Sequence, residues 1–138
     1  YTITVKTVSG SGVVLPIGST SLVYSDGTNV NLGLRNKGYV TLNSSTITAY
    51  TAVDGDQILA NTSANPITVT LPASPAVGSE VTFIDARGTF ANNNLIVNRN
   101  SQPINTGTSN LTLTTNGQAF ALVYVDATRG WAYKTNTA

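Results

Sequence analysis

One stretch near the end of the chain, residues 117–134, constrains the fold more than any other. Its sequence, GQAFALVYVDATRGWAYK, places an apolar run before a polar turn signal and returns through Trp131 and Tyr133. β-Branched and aromatic residues on both sides of a short break that ends in Gly predict an antiparallel hairpin. Because residues 120–125 show no alternation with polar residues, we expect this hairpin to be central in its sheet and buried on both faces.

The rest of the chain predicts short strands and no helix. Apolar and polar residues alternate in short segments that clusters of Gly, Pro, Asn and Asp separate. The predicted strands fall at residues 3–5, 13–15, 22–24, 30–34, 47–53, 57–61, 67–71, 81–84, 95–97 and 111–115. No segment of ten or more residues has helical spacing. The sequence therefore predicts an all-β fold, an antiparallel β-sandwich of the jelly-roll or a similar kind.

An internal repeat suggests how the chain is divided. LVYSDGT at residues 22–28 aligns without gaps on LVYVDAT at residues 122–128, and similar strands precede both. Residues 1–34 therefore read as the second half of an upstream module, residues 35–38 as a linker, and residues 39–138 as a complete β-sandwich domain. A half-sandwich of this size has little core, so we expect the complete domain, upstream residues or another chain to cover it. The alternative is a chance similarity between two β-hairpins.

Composition narrows the classes of function. Of the 138 residues only 9% are charged, the net charge is +1, and Cys, His and Met are absent. Without Cys and His, thiol nucleophiles, imidazole bases and soft-metal sites are excluded. The seven Lys and Arg residues form no basic stripe, which argues against a nucleic-acid partner. No apolar run approaches the ~18 residues that a membrane-spanning helix needs.

Two pairs of acidic residues could carry chemistry, and each has a simpler structural explanation. Asp54 and Asp56 flank a Gly as in a Ca²⁺ site, but no further acid completes the roughly six to eight oxygen ligands, so we favour a polar turn. Glu80 and Asp85 could form a glycosidase pair. Their odd spacing within one strand predicts opposite faces, which favours salt bridges or solvation. We predict no catalytic, cofactor or metal site and no enzyme activity.

Asp26 and Asp126 occupy the same turn position in the two copies of the repeat. Asp at the start of a turn accepts hydrogen bonds from its own backbone a few residues on. Both residues are therefore predicted to stabilise turns.

Three aromatic residues, Trp131, Tyr133 and Tyr124, form the candidate contact surface. Aromatic side chains with an apolar body and a polar handle are suited to glycan or subunit contacts. Core packing explains the same residues more simply, because large aromatic side chains are mostly buried. Their exposure decides between the two interpretations.

Three longer stretches resemble bacteriophage proteins. Residues 1–30, YTITVKTVSGSGVVLPIGSTSLVYSDGTNV, resemble a segment of tail fibres and related tail appendages in their strand, Gly-rich turn and closing YxDGTNV. ITVTLPASPAVGSEVTFID at residues 67–85 and GQAFALVYVDATRGW at residues 117–131 are similar to repeated β domains of phage structural proteins. These motifs belong to a β scaffold, and no catalytic residue can be transferred from them.

The resemblance implies a protein of the virion surface. Such a protein is usually a parallel homotrimer that forms a rigid shaft or attachment segment. Its implied partners are its own copies, other tail or capsid proteins and a host surface glycan, with no nucleic acid, membrane or cofactor. The alternatives are a carbohydrate-binding receptor-recognition module and a capsid decoration or knob protein. A polysaccharide-degrading enzyme is the least favoured.

Overall fold

The computed structural model describes residues 3–10, 12–15, 22–25, 27–34 and 38–134. These residues form thirteen β-strands and no helix, which confirms the all-β prediction. The chain divides into two compact units, Tyr1–Lys37 and Gly38–Ala138. The division falls inside the predicted linker, of which only Gly38 is among the described residues.

The first unit contains two antiparallel strand pairs. β1 (Ile3–Lys6) pairs with β2 (Gly12–Leu15), and β3 (Leu22–Ser25) pairs with β4 (Val30–Leu34). β2 and β4 are near neighbours, so the two pairs contact each other. Asp26, for which the sequence predicts a turn-stabilising role, lies outside the described residues.

The second unit is built from two sheets. The five-stranded sheet has the order β13-β12-β9-β7-β5, and the four-stranded sheet has the order β11-β10-β8-β6. The strands of the first are β5 (Tyr39–Asn43), β7 (Gln57–Asn61), β9 (Glu80–Asp85), β12 (Ala119–Asp126) and β13 (Gly130–Tyr133). Those of the second are β6 (Ala49–Thr51), β8 (Ile67–Thr70), β10 (Leu95–Asn98) and β11 (Leu111–Leu113).

The direction of strand pairing is mixed, whereas the sequence predicts antiparallel pairing throughout. From β5 to β10 each successive strand joins the opposite sheet, so neighbours within a sheet are separated by one full turn of the chain and run parallel. Only β11, β12 and β13 return antiparallel. The alternation of apolar residues fixes which face of a strand is buried, but it does not fix the direction of the neighbouring strand.

A single hydrophobic core lies between the inner faces of the two sheets. Burial alternates along the strands, as in β9, where Val81 and Phe83 are fully buried and Glu80, Thr82 and Ile84 are partly exposed. The facing sheet contributes Ile67, Val69 and Leu95, which are also fully buried. Side chains from both layers therefore meet in one core, the arrangement expected of a β-sandwich.

The hairpin at residues 117–134 forms as predicted, with β12 and β13 joined by a turn at residues 127–129. The predicted central position is wrong, because β13 is the edge strand of its sheet. A loop takes the place of a further strand: the Trp131 amide donates to the Pro103 carbonyl at 2.8 Å, and the Asn105 amide donates to the Trp131 carbonyl at 2.8 Å. This loop lets an edge strand carry a fully buried tryptophan.

Candidate functional site

Asp54 and Asp56 stabilise a turn. The Asp56 carboxylate accepts hydrogen bonds from the Val53 amide at 2.9 Å and from the Tyr50 hydroxyl at 3.0 Å. The Asp54 carboxylate accepts from the Glu80 amide at 2.8 Å. The two side chains therefore bond to different parts of the backbone and do not converge on a common point, as the predicted polar turn requires.

Asp85 holds two loops together from a buried position. Its carboxylate accepts hydrogen bonds from the amides of Arg87, Phe90 and Gly117 at 3.0 to 3.2 Å. Burial by itself raises the pKa of this carboxyl group, but the hydrogen bonds from backbone amides, including that of Thr89, outweigh burial and lower it. Asp85 is therefore a charged anchor that joins the end of β9 to the turn before β12.

Glu80 and Asp85 lie on opposite faces of β9, as their odd spacing predicts. The Glu80 carboxylate forms a salt bridge with the Lys134 ammonium group at 2.6 Å. This places the two carboxyl groups on different sides of the sheet, so they cannot flank one glycosidic bond. Asp85 is neither solvated nor in a salt bridge, because it bonds backbone amides instead.

Asp126 stabilises its turn in the predicted way. Its carboxylate accepts hydrogen bonds from the amides of Thr128 at 2.8 Å and Arg129 at 2.6 Å. The acidic side chains that the structure describes are thus all bonded within the fold. No three potential metal ligands of the acidic, His or Cys type gather among the described residues.

The three aromatic candidates have different surroundings. Trp131 is 0% exposed and Tyr124 is 7% exposed, and their rings meet edge to face with centroids 5.6 Å apart. The Tyr124 hydroxyl bonds the Gln102 side chain at 3.2 Å, whereas the Trp131 indole N–H has no hydrogen-bond partner among the described residues. Tyr133 is 39% exposed. Of the three, Tyr133 is the one available for a contact outside its own domain.

Tyr133 lines a cleft at the open side of the sandwich. It pairs with Leu122 in the hairpin, and Phe120 pairs with Phe83 on β9. Since Leu122 and Phe83 are core residues, Tyr133 and Phe120 face the space between the sheets. The other wall of the cleft is the edge strand β11 and the turn that follows it.

The cleft has a volume of about 280 Å³ and combines apolar with neutral polar groups. Its lining residues are Leu111, Thr112, Leu113, Thr114, Thr115, Gln118, Phe120 and Tyr133. The two aromatic rings meet edge to face with centroids 6.0 Å apart, and Phe120 stacks on Phe83 at 5.2 Å. Because no lining side chain is charged, the cleft suits a neutral ligand that has one apolar face and several hydroxyl or amide groups.

The sequence identifies only part of this cleft. Tyr133 was among the predicted contact residues, but Phe120 reads as core because it stands in an unbroken apolar run. Thr114, Thr115 and Gln118 cannot be recognised as site residues from the sequence, because neutral polar residues are common throughout the chain. The pairing of β12 with β9 and β13 places Phe120 and Tyr133 together, and the packing of the two sheets brings the residues after β11 beside them.

Among the described residues the chain has no helix long and apolar enough to cross a membrane. Comparison with protein-family models and with curated proteins finds no match.

Proposed function

We propose that this chain is a structural segment of a bacteriophage tail fibre or tail appendage. In this role it forms a homotrimer on the virion surface, contacts other tail or capsid proteins and provides a rigid β scaffold for host attachment. The observation that carries the proposal is that the described acidic side chains form hydrogen bonds and a salt bridge within the fold. Asp54, Asp56, Asp85 and Asp126 stabilise turns and loops, and Glu80 ties strands together.

Two further features support a scaffold. The charge-poor sequence presents Thr, Asn and Ser in place of Lys and Glu, and large apolar side chains such as Tyr39 and Val77 remain exposed on the single chain. Three chains around one axis can cover apolar surface that a single chain leaves open. Several identical modules in one assembly also convert weak contacts with a host surface into avidity.

The oligomeric state tests this proposal. We expect light scattering at micromolar concentration to give three times the 14.3 kDa mass of one chain. A stable monomer under these conditions would contradict the trimer. Mass spectrometry of purified virions, with antibody labelling on the particle, would then distinguish a tail fibre from a capsid decoration or knob protein.

The cleft favours a second function, carbohydrate binding for receptor recognition. Phe120 and Tyr133 offer apolar ring surface, and Thr114, Thr115 and Gln118 offer neutral hydrogen-bonding groups. Pyranose rings have the same combination of an apolar face and a rim of hydroxyl groups. Calorimetric titration with neutral oligosaccharides from host surfaces would detect such binding.

A matched pair of variants makes this second test specific. Tyr133→Ala should abolish glycan binding, because it removes half of the aromatic wall. Tyr39→Ala, which changes an exposed tyrosine on the far edge of the same sheet, should leave binding intact. Equal binding by both variants would show that the cleft is not the glycan site.

A further inference from the structure

The four strands of the first unit pair in the same way as the last four strands of the second unit, β10 to β13, which we call its closing half. In the pairing of β1 with β2, Ile3 opposes Leu15 and Val5 opposes Val13; in that of β10 with β11, Leu95 opposes Leu113 and Val97 opposes Leu111. The residues in equivalent positions are apolar in both units. The repeat in the sequence is therefore also a repeat in strand register.

The pairing of β3 with β4 is likewise similar to that of β12 with β13. Val23 opposes Leu32 and Tyr24 opposes Asn31 in the first unit, while Val123 opposes Ala132 and Tyr124 opposes Trp131 in the second. These two central pairs are displaced by 100 positions in the sequence, whereas the registers differ beyond them, where Leu22 opposes Leu34 but Leu122 opposes Tyr133. A chance likeness between two hairpins would not account for these matching central pairs together with the matching register of β1 with β2 and of β10 with β11.

A contact between loop and turn is the third shared feature. In the first unit the Thr7 hydroxyl donates to the Thr28 carbonyl, and the same oxygen stands so close to Gly10 that no side chain fits there. In the second unit the Thr106 amide donates to the Arg129 carbonyl at 3.0 Å. The loop that joins β1 to β2, and the loop that joins β10 to β11, thus each pack on the turn of the hairpin that follows.

The second unit has two strands that complete this arrangement. β8 lies parallel beside β10, and β9 lies antiparallel beside β12. Among the described residues of the first unit, β1 pairs with β2 and β3 pairs with β4, and no strand lies on their other edges. Val97 is accordingly 0% exposed, whereas the equivalent Val5 is only partly buried.

The register identifies the backbone groups on the open edge of β3. In the second unit the Tyr124 amide donates to the Ser79 carbonyl at 2.8 Å, and the Tyr124 carbonyl accepts from the Gly78 amide at 2.9 Å. Both bonds point away from β13, because Ser79 and Gly78 lead into β9. By the same register the amide and carbonyl of Tyr24 point away from β4.

We propose that the outer edges of β1 and β3 form a docking surface for a half-module of the type of residues 38–94, carried by the same polypeptide ahead of residue 3. One strand of this half-module lies parallel to β1 and another lies antiparallel to β3. The Tyr24 amide then bonds a carbonyl equivalent to that of Ser79. The proposal rests on the repeated registers and holds whether or not the chain belongs to a virion.

A second copy of this chain is a poor source of the missing strands. β8 is already paired on both sides, with β6 and β10, and β9 is paired with β7 and β12. To donate them, the second copy would have to open its own core, which includes the fully buried Val69, Val81 and Phe83. An additional half-module avoids this loss.

The test is an extended chain in which a copy of residues 38–94 is placed directly before Ile3 of the 138-residue sequence. This junction reproduces the step from Asn94 to Leu95, because Ile3 is equivalent to Leu95. NMR measures the hydrogen exchange rate of the Tyr24 amide in the 138-residue chain and in the extended chain. We expect exchange in the extended chain to be at least about 100-fold slower, as for an amide that enters a cooperative core.

A control extension carries Val81→Asp in the duplicated copy, which places a charge in the new core. It should return Tyr24 to the exchange rate of the 138-residue chain. If the intact extension leaves Tyr24 unchanged, folded or not, the proposal is wrong. Concentration-dependent protection of Tyr24 in the 138-residue chain would also overturn it, because a second copy would then cover the edge.

Discussion

The two units contain the same two strand pairs in different surroundings. In the second unit, β10 and β12 are flanked by β8 and β9, and their inward side chains reach a closed core. In the first unit, β1 and β3 have no flanking strands among the described residues, and Val5 is only partly buried where the equivalent Val97 is fully buried. The comparison teaches that local sequence sets the pairing within a hairpin, whereas burial depends on the half-module beside it.

The contact between loop and turn should give the largest effect. Gly130 has φ of 70°, and a Cβ atom there would lie 1.9 Å from the Pro103 carbonyl oxygen. Gly130→Ala must therefore displace the loop that covers β13, and we expect a loss of about 3 kcal/mol or more in the free energy of unfolding. Denaturant titration followed by the fluorescence of Trp131, the one tryptophan of the chain, measures it.

Gly88→Ala is the matched control for Gly130→Ala. Gly88 also has a positive φ, of 65°, but a Cβ atom there would meet nothing within 4 Å. This substitution should cost only the backbone strain of about 1–2 kcal/mol. Equal losses for the two variants would mean that the packing of the loop on the turn does not stabilise the domain.

Equivalent core valines should differ in their contribution. Val97→Ala removes two methyl groups from a fully buried position, so we expect it to lower the free energy of unfolding by about 2–3 kcal/mol. Val5→Ala should lower the stability of the β1 and β2 pair by less than about 1 kcal/mol, measured by amide exchange. Equal losses of stability for Val97→Ala and Val5→Ala would contradict the claim that the two valines differ in burial. In the extended chain proposed above, the cost of Val5→Ala should rise towards that of Val97→Ala.

Asp85 links β9, which belongs to the first half of the module, to the turn before β12, which belongs to the closing half. Its pKa is lower when folded than when unfolded, so its stabilisation is present above the unfolded value of about 4 and is lost as pH falls through the folded value. Asp85→Asn should therefore cost about 1–3 kcal/mol at pH 7.

The pH dependence distinguishes this explanation from simple packing damage. The stability gap between Asp85→Asn and the natural chain should narrow as pH falls below about 4, because the natural carboxylate then becomes protonated. Asp126→Asn is the control, since an exposed Asn can still accept the bonds of its turn. A gap that stays constant from pH 7 to pH 3 would contradict a role for the charge.

The salt bridge between Lys134 and Glu80 should have the smallest effect. Half of the Lys134 side chain is exposed to solvent, which screens the pair. Lys134→Ala should change the free energy of unfolding by less than about 1 kcal/mol, and the difference should shrink in high salt. A larger, salt-independent loss would indicate that Lys134 acts through packing of its aliphatic chain.

The sequence predicts the strands of this protein better than their arrangement. β7 begins and ends where alternation predicts, and most other strands fall within a few residues of their predicted bounds. Alternation is a local property, so it marks each strand without its neighbours. The parallel pairing of β5 with β7 depends on connections that cross between sheets, which no local pattern records.

The candidate site shows the same limit. The odd spacing of Glu80 and Asp85 correctly predicts opposite faces, because that geometry is internal to one strand. The burial of Trp131 at the edge of a sheet depends on a loop about 26 residues earlier in the sequence, so the hairpin alone cannot predict it. The cleft beside Tyr133 likewise needs the register of three strands.

Amide hydrogen exchange at Tyr24 and Tyr124 in the 138-residue chain tests the central claim most directly. The claim is that the first unit and strands β10 to β13 of the second unit are the same half-module, completed by β8 and β9 in the second unit and with open edges in the first. It predicts that the Tyr124 amide exchanges only through global unfolding of its domain, while the Tyr24 amide exchanges orders of magnitude faster. Equal protection of the two amides would contradict it.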